Sequence, residues 1–151
     1  MRPARLVVVL VALAGCSRPV SVPPVEPAPP APVAQACRQL QAQLPDALAT
    51  VGTRRASTPD SPLTAAYGDP PVAIRCGVPE PAALTPTSLL VTVDGVDWLP
   101  EELTGGWLLT TVGRVANVEV TVPTAQGPAP SVAADLSGVI IRAIPASAPD
   151  P

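Results

Sequence analysis

The chain has 151 residues, of which 47% are hydrophobic, 23 are proline and only three are aromatic. It contains no histidine, and all nine basic residues are arginine. The absence of histidine and lysine excludes an imidazole general base, His-ligated zinc and amine nucleophiles. A net charge of -3 argues against nucleic acid as a partner, because binding to a phosphate backbone requires a basic surface.

The first fifteen residues have the pattern of a secretory signal peptide. Arg2 and Arg5 supply positive charge, and nine consecutive apolar residues follow from position 6 to position 14. At ~1.5 Å per residue, this run covers about half of a ~30 Å hydrocarbon core, so it is too short to remain as a transmembrane helix. We therefore expect residues 1–15 to be cleaved.

The apolar run ends in Leu13-Ala14-Gly15-Cys16, which resembles the lipobox of bacterial lipoproteins. The resemblance implies cleavage before Cys16 and attachment of a diacylglyceryl group, carrying fatty acids such as palmitate, to its sulfur. Two acyl chains anchor a protein stably in a bilayer. The expected location is therefore the outer face of the cytoplasmic membrane, with the membrane itself as a partner. The alternative is an ordinary signal peptide with a cysteine near the cleavage site.

Residues 16–36 combine the lipidated cysteine with a proline-rich segment that has seven prolines between positions 17 and 36. Proline at this density favours polyproline II, which rises ~3.1 Å per residue. We expect a spacer that holds the folded body up to about 60 Å from the membrane. The alternative function is a docking ligand for an aromatic groove.

Residues 37–145 have the size of one domain, and residues 146–151 are expected to form a disordered tail. The domain carries six arginines and ten acidic residues, a net charge of -4. Such a balance indicates a soluble domain that is not attracted electrostatically to anionic lipid.

Two cysteines, Cys37 and Cys76, remain in the exported body once Cys16 is lipidated. An even pair in an oxidising compartment predicts a disulfide. The alternative, a reactive cysteine, requires a neighbouring cation, which Arg38 or Arg75 could supply.

Two segments have helical spacing. The first is an apolar stripe made by Cys37, Leu40 and Leu44, and Pro45 ends this helix. The second helix lies near the C-terminus, where Ser131 is placed to cap its start. Its apolar residues recur at helical intervals: Val132, Leu136, Val139, Ile140 and Ala143.

Between the helices the apolar period is two, which indicates strands. One strand carries Val72, Ile74 and Cys76 on its inward face, and another carries Val118, Val120 and Val122. A two-residue turn at Gly113 and Arg114 would set Leu109 opposite Val118 and Trp107 opposite Val120.

Asp94 and Gly95 pose a question of register. A turn at these two residues gives three cross-strand pairs: Val93 with Val96, Val91 with Trp98 and Thr92 with Asp97. An uninterrupted strand would instead bury the Asp97 carboxylate, which is costly. We predict the turn, and a bulge at Gly95 is the alternative. The predicted fold is a small α+β domain, in which an antiparallel sheet of about four to five strands is flanked by an N-terminal and a C-terminal helix.

The body contains a characteristic set of short motifs, which includes Cys37-Arg38-Gln39-Leu40, Ala66-Tyr67-Gly68-Asp69-Pro70-Pro71, Ile74-Arg75-Cys76-Gly77-Val78-Pro79, Asp94-Gly95-Val96-Asp97-Trp98 and Thr110-Thr111-Val112-Gly113-Arg114. Together these motifs resemble domain of unknown function 3515, a family of envelope lipoproteins from high-GC Gram-positive bacteria. Tyr67 stands where the family would have tryptophan, and Leu109 stands where it would have an aromatic residue. The resemblance covers positions 37–145 and implies a secreted, membrane-tethered domain, but it supplies no established activity.

Candidate chemistry is sparse, and we recognise no catalytic, cofactor-binding or metal-binding motif. The acidic residues Asp94, Asp97, Glu101 and Glu102 could offer calcium ligands or a carboxylate pair for glycosidic cleavage, although solvated turn residues are the simpler interpretation. Trp98 and Trp107 could stack on a sugar, although both occupy inward strand positions that favour a core role.

Arg75 and Arg114 are candidates for contact with an anionic ligand or partner, because guanidinium groups pair well with carboxylates and phosphates. The alternative is pairing within the chain, with Asp69, Asp97 or Glu119. We expect a non-catalytic binding or structural module of the cell envelope, with a protein or cell-wall partner and no cofactor. The alternative function is a wall-acting hydrolase or transferase that uses the acidic residues.

Overall fold

The computed structural model describes residues 18–148, so the predicted signal peptide and Cys16 lie outside the described residues. Within residues 18–148, ten short strands and two helices make up the regular structure, and a 3₁₀ turn precedes the last helix. In chain order the elements are β1 Val20–Ser21, α1 Ala31–Gln43, β2 Ala47–Leu48, β3 Gly52–Arg55, β4 Ser57–Thr58, β5 Thr64–Tyr67, β6 Val72–Val78, β7 Val91–Val93, β8 Val96–Leu103, β9 Gly106–Val112, β10 Asn117–Pro123, the 3₁₀ turn Thr124–Gln126 and α2 Ala129–Ala143.

Eight of these strands form one antiparallel sheet in the order β2-β3-β5-β6-β10-β9-β8-β7. The strands β1 and β4 pair in parallel as a separate two-stranded sheet. The prediction of four to five strands was therefore wrong, although the α+β class remains. The protein is mostly β, and its main sheet has about twice the predicted width.

The missed strands of the main sheet are β2, β3 and β5, which have two to four residues each. Strand β3 contains Arg54 and Arg55, and β5 has the composition Thr-Ala-Ala-Tyr with all four residues buried. Neither alternates between apolar and polar residues, so neither has the period-two signal that identifies a half-buried strand. Pairing with neighbouring strands, rather than local pattern, specifies them.

Helix α1 packs against α2 and β6, and α2 also contacts β2, β7, β8 and β9. Helix α1 begins at Ala31, six residues before the predicted stripe, because Pro32 lies in its first turn, where the missing amide hydrogen costs nothing. Helix α2 begins at Ala129 with Pro130 in the same role. Ser131 therefore lies inside the first turn and does not cap the helix, contrary to the prediction.

The hairpin at Asp94 and Gly95 has the predicted register, with Val93 opposite Val96 and Val91 opposite Trp98. Both turn residues have positive φ, 47° for Asp94 and 79° for Gly95, as a two-residue hairpin of this hand requires. The alternating burial of β6 and β10 is also confirmed.

The pairing of β9 with β10 differs by two residues from the prediction, since Leu109 lies opposite Val120 and not Val118. A shift of two keeps each side chain on its face. The turn is longer because residues 113–115 pair with the C-terminal segment: Arg114 bridges to Ala146, and the amide of Ser147 donates to the Gly113 carbonyl. Ser147, within the segment expected to form a disordered tail, is thus hydrogen-bonded to the domain, and Ala146 lies opposite Arg114.

The proline-rich segment from position 18 onward lies against the domain, unlike the extended spacer expected there. The amides of Val20 and Val22 donate to the carbonyls of Ala56 and Thr58, and both valine side chains are buried. These valines pack in a small apolar cluster with Ala66. Ala66 alternates in β5 with residues of the main core, so this cluster lies on the sheet face opposite the helices.

Among the described residues, neither helix has the length and apolar character needed to cross a bilayer.

Candidate functional site: an apolar groove beside an edge strand

A surface groove of about 380 Å³ lies between the N-terminal turn of α2 and the β7–β9 part of the sheet. Its volume is within the range of small-ligand and side-chain pockets. Every residue that lines it is apolar, and we call it the apolar groove: Val91, Val93, Trp98, Pro100, Trp107, Leu109, Pro128, Ala129, Pro130 and Ala133.

The two tryptophans of the chain contribute to the apolar groove in different ways. Trp98 is 1% exposed and belongs to the main core, as the sequence predicted. Its indole Nε1 is buried and has no hydrogen-bond partner among residues 18–148. Trp107 is 40% exposed, so the prediction that it also lies in the core was wrong. The groove therefore combines a fixed floor with a solvent-accessible aromatic wall.

Exposed apolar residues continue from the groove along the edge of the sheet. Val91 in the edge strand β7 is 44% exposed, and Leu89, just before it in the chain, is 87% exposed. Large apolar side chains that cluster in this way mark interaction surfaces more often than isolated ones do. The apolar groove and this edge make one continuous candidate surface.

The predicted Cys37–Cys76 disulfide is present and joins α1 to the central strand β6, with a Cα–Cα distance of 5.5 Å. Both cysteines are buried, so neither is a reactive thiol. The bridge lies in the main core and contributes no atom to the apolar groove.

The acidic residues do not converge on one point. Asp94 lies in the hairpin turn, and Asp97 accepts a hydrogen bond of 2.5 Å from Thr92 Oγ1. Glu101 and Glu102 are consecutive in β8, so their side chains point to opposite faces of the sheet. No group of three acidic or cysteine side chains suited to a metal ion occurs among the described residues.

Arg75 and Arg114 each bind atoms of the chain itself. Arg75 pairs with Glu119 at 2.9 Å, one of the internal pairings considered from the sequence, and also donates to the Pro24 carbonyl at 3.2 Å. Arg114 donates to the carbonyls of Ile144 at 2.9 Å and Gly95 at 3.1 Å. The two guanidinium groups therefore hold separate segments together and form no common anion site.

A shallow groove of about 660 Å³ lies at the β2–β3 end of the sheet, and we call it the arginine groove because Arg18, Arg54 and Arg55 are among its lining residues, together with Asp69. Arg54 and Arg55 are consecutive in β3, so their side chains point to opposite faces of the sheet. Arg55 donates to the carbonyls of Arg18 and Gly68 and lies 3.9 Å from the Asp69 carboxylate. Arg54 donates to Gln41 Oε1 at 2.6 Å.

Tyr67, the one tyrosine of the chain, lies near the arginine groove, with its side chain in the core and its hydroxyl donating to the Pro45 carbonyl at 2.7 Å. Burial raises the pKa of its phenol above the ordinary value of 10.0, the positive charge of Arg54 lowers this pKa, and the negative charge of Asp46 raises it. The net direction is upward.

This shift predicts a loss of stability in alkali. Above about pH 10 the unfolded chain releases the phenolic proton while the folded protein retains it, so the free energy of unfolding falls as pH rises through this range. Urea titrations between about pH 9 and pH 11 should show this decline, and Tyr67→Phe should abolish it. The absence of lysine leaves few competing ionisations. An identical decline in the variant would contradict the assignment.

The wide sheet, the two helices on one face and the groove define a small disulfide-bonded α+β domain with an apolar surface groove. The chain belongs to the DUF3515 family, whose model, described as "Protein of unknown function (DUF3515)", matches residues 2–149. This confirms the resemblance read from the sequence. No curated protein and no solved structure matches the chain.

Sequence reasoning missed the apolar groove because its walls come from three segments that are distant in the chain. The available signals were weak: Pro128 and Pro130 beside the start of a helix, and the consecutive apolar residues Leu89, Leu90 and Val91 outside any predicted helix. Their common location depends on β7 being the edge strand, which only the strand order reveals.

Proposed function

We propose that this protein is a non-catalytic binding module of the cell envelope, tethered to the outer face of the cytoplasmic membrane by lipid on Cys16. Its apolar groove receives an apolar segment of a partner protein. The signal-peptide pattern and the lipobox-like Leu13-Ala14-Gly15-Cys16 support the tether. The apolar groove supports the binding role.

The single observation that carries the binding role is the exposed aromatic wall beside a buried floor. Trp107 and Val91 together present accessible apolar surface at the mouth of the groove, and exposing it to water has a free-energy cost. Protein interfaces concentrate their binding energy where an aromatic-lined pocket accepts an anchor side chain.

The chemistry of the lining favours a polypeptide over a glycan. A sugar ring requires hydrogen-bonding side chains for its hydroxyl groups, and the ten lining residues contain only the two indole N–H groups as side-chain donors. The apolar surface also continues beyond the groove to Leu89, which a single small ligand would leave uncovered. An extended apolar segment covers both.

Site-specific photo-cross-linking tests this function. Because the chain has no lysine, amine-reactive reagents are unsuitable, so a photoreactive residue replaces Val91 in the native lipidated protein. The matched control places the same residue at Ile141, which is also 44% exposed but lies on α2 outside the groove.

The expected result is one discrete adduct from position 91 and none of that mass from position 141. Trp107→Ala should lower its yield about tenfold, the effect of losing one aromatic anchor. Mass spectrometry of the adduct identifies its class, so a captured glycan or lipid would overturn the assignment to a polypeptide. Equal capture from both positions would overturn the role of the groove.

A further inference from the structure

We propose that residues 18–30, which we call the strap, undock from the sheet as one unit while the rest of the domain stays folded. Docked, the strap holds the domain close to the membrane, and undocked it becomes the extended spacer that its proline content predicts. The two distances from the membrane rest on the proposed lipid anchor at Cys16. The undocking is a property of the folded domain and does not depend on that anchor.

The strap lies on the sheet face opposite the helices. Cross-strand pairing places Arg55 and Arg75 on the same face as Ala66, which clusters with two valines of the strap. Arg55 Nη2 donates to the Arg18 carbonyl at 2.9 Å, and Arg75 Nη2 donates to the Pro24 carbonyl at 3.2 Å. The two guanidinium groups therefore hold the strap near its start and near its middle.

The sheet accommodates the strap at Gly77. A Cβ atom at this position would lie 2.9 Å from Cγ of Pro29, closer than carbon atoms approach in a packed interior, so a side chain here would displace the strap. The φ of 88° at Gly77 is a second reason for glycine. The docked state is thus compatible with the sequence of β6 only because this position has no side chain.

The backbone of the strap is held by few hydrogen bonds. Its regular pairing is confined to β1, which has two residues. Six of the thirteen strap residues are proline, which has no amide hydrogen to donate. The strap therefore lacks the continuous hydrogen-bond ladder that joins the strands of the main sheet.

Docking also leaves polar atoms on the covered face without partners. Thr64 pairs with Arg75 across β5 and β6, so it lies on this face, and it is 3% exposed. Its Oγ1 atom is buried without a hydrogen-bond partner among residues 18–148, as are the Nε atoms of Arg55 and Arg75. Proline and valine side chains have no acceptor for such groups. Burial of an unpaired polar atom costs free energy, and contact with water after undocking would recover it.

The strap can leave without opening the main core. Val20 and Val22 bury their side chains in the small cluster with Ala66, which is separate from the main core. The strap also precedes Cys37, so it lies outside the loop that the disulfide closes. Segments with their own small set of contacts open locally at a lower free-energy cost than the whole domain.

Undocking changes how far the anchored domain can lie from the membrane. With the strap docked, two residues separate the lipidation site from Arg18, and an extended chain covers at most ~3.6 Å per residue, or ~7 Å in total. With the strap undocked, residues 17–30 can extend as polyproline II at ~3.1 Å per residue, or ~43 Å in total. The same segment therefore provides a short and a long tether.

Native-state hydrogen exchange of the full lipidated protein in nanodiscs tests the undocking. The amides of Val20 and Val22 are compared with those of β10, which is paired on both sides within the sheet. The strap amides should be protected, but they should exchange at least about 100-fold faster than those of β10. A low concentration of urea should hardly change their rates, because local opening exposes little surface, and it should accelerate exchange in β10.

Two results would overturn the undocking. Equal rates and equal urea dependence in the strap and in β10 would show that the strap leaves only when the whole domain unfolds. Unprotected amides at Val20 and Val22 would show that the strap has no docked state.

Val22→Asp tests the change in distance. Val22 is fully buried, so a carboxylate there should keep the strap undocked. A fluorescent amino acid in place of the exposed Asp60, close to β4, reports the distance to dye-labelled headgroups by energy transfer. Transfer should fall in Val22→Asp, while the amides of β10 remain protected. The matched control is Val91→Asp, the same substitution at a 44% exposed valine at the far end of the sheet, and it should leave the transfer unchanged.

Unchanged transfer in lipidated Val22→Asp, or an equal fall in Val91→Asp, would overturn the two tether lengths. Loss of protection in β10 of Val22→Asp would show that the domain needs the strap in order to fold, and would overturn the undocking.

Intact mass of the same sample separates this inference from the proposed function. With a diacylglyceryl group on Cys16, a strap that opens only with the whole domain refutes the strap inference alone. With an unmodified Cys16, the proposed tether and its two lengths fail, whereas the exchange rates still decide the undocking.

Discussion

Reducing the Cys37–Cys76 disulfide is expected to lower the free energy of unfolding by about 4 kcal/mol, the chain-entropy value for a closed loop of this size. The bridge spans 39 residues of sequence and links α1 to β6 inside the core. A domain of this size has a total stability of about 5–15 kcal/mol, so the bridge supplies a large fraction of it. Urea titrations of the oxidised and reduced protein give the difference directly.

The double variant Cys37→Ala with Cys76→Ala provides the control for the reducing agent. It should resemble the reduced protein in stability and show no further change when reductant is added. If reduction leaves the urea midpoint of the unmodified protein unchanged, the bridge does not stabilise the fold. Labelling of either thiol without prior reduction would show that the bridge does not form.

Trp98→Ala is expected to cost about 3–5 kcal/mol of unfolding free energy, the range for truncating a large aromatic side chain in a core. Trp98 is almost fully buried and packs between the sheet and α2. Trp107→Ala is the matched control, because it removes the same side chain from the more exposed wall of the same groove. It should cost well under half as much. The measurement is a urea titration of each variant with the disulfide intact.

A third variant separates the packing of Trp98 from its indole N–H group. Trp98→Phe keeps most of the buried ring and removes an Nε1 that has no partner among the described residues. It should therefore be much more stable than Trp98→Ala. Equal losses in Trp98→Ala and Trp107→Ala would contradict the division of the groove into a buried floor and an exposed wall.

The parts of the fold that could be predicted from the sequence are those that local chemistry determines. Asp94 and Gly95 can both adopt positive φ, so the hairpin and its register followed from two residues. The alternation of Val118, Val120 and Val122 identified β10, and two inward-facing cysteines predicted the disulfide. For the hairpin and β10 the signal lies within a few residues of the structure that it specifies, whereas the disulfide followed from an even pair of cysteines in a body expected to be exported.

The missed parts depend on contacts that are distant in sequence. Strand β5 is buried at all four residues because the main core covers one of its faces and the cluster of Val20 and Val22 covers the other, and its own pattern carries no sign of this. The register of β9 and β10 depends on Arg114 and Gly113 pairing with the C-terminal segment. The arginine groove requires Arg18, placed by sequence in a spacer, to lie beside Arg55.

The position of the disulfide also determines how the domain bears a mechanical load. Tension applied between the N-terminal segment and the C-terminus passes through the covalent link at Cys37 directly to Cys76 in the middle of the sheet. The intervening chain, which contains β2 to β5, carries none of this force. A pull on the N-terminal end therefore peels away the first residues up to the bridge, while the strands enclosed by the cystine loop stay unstretched.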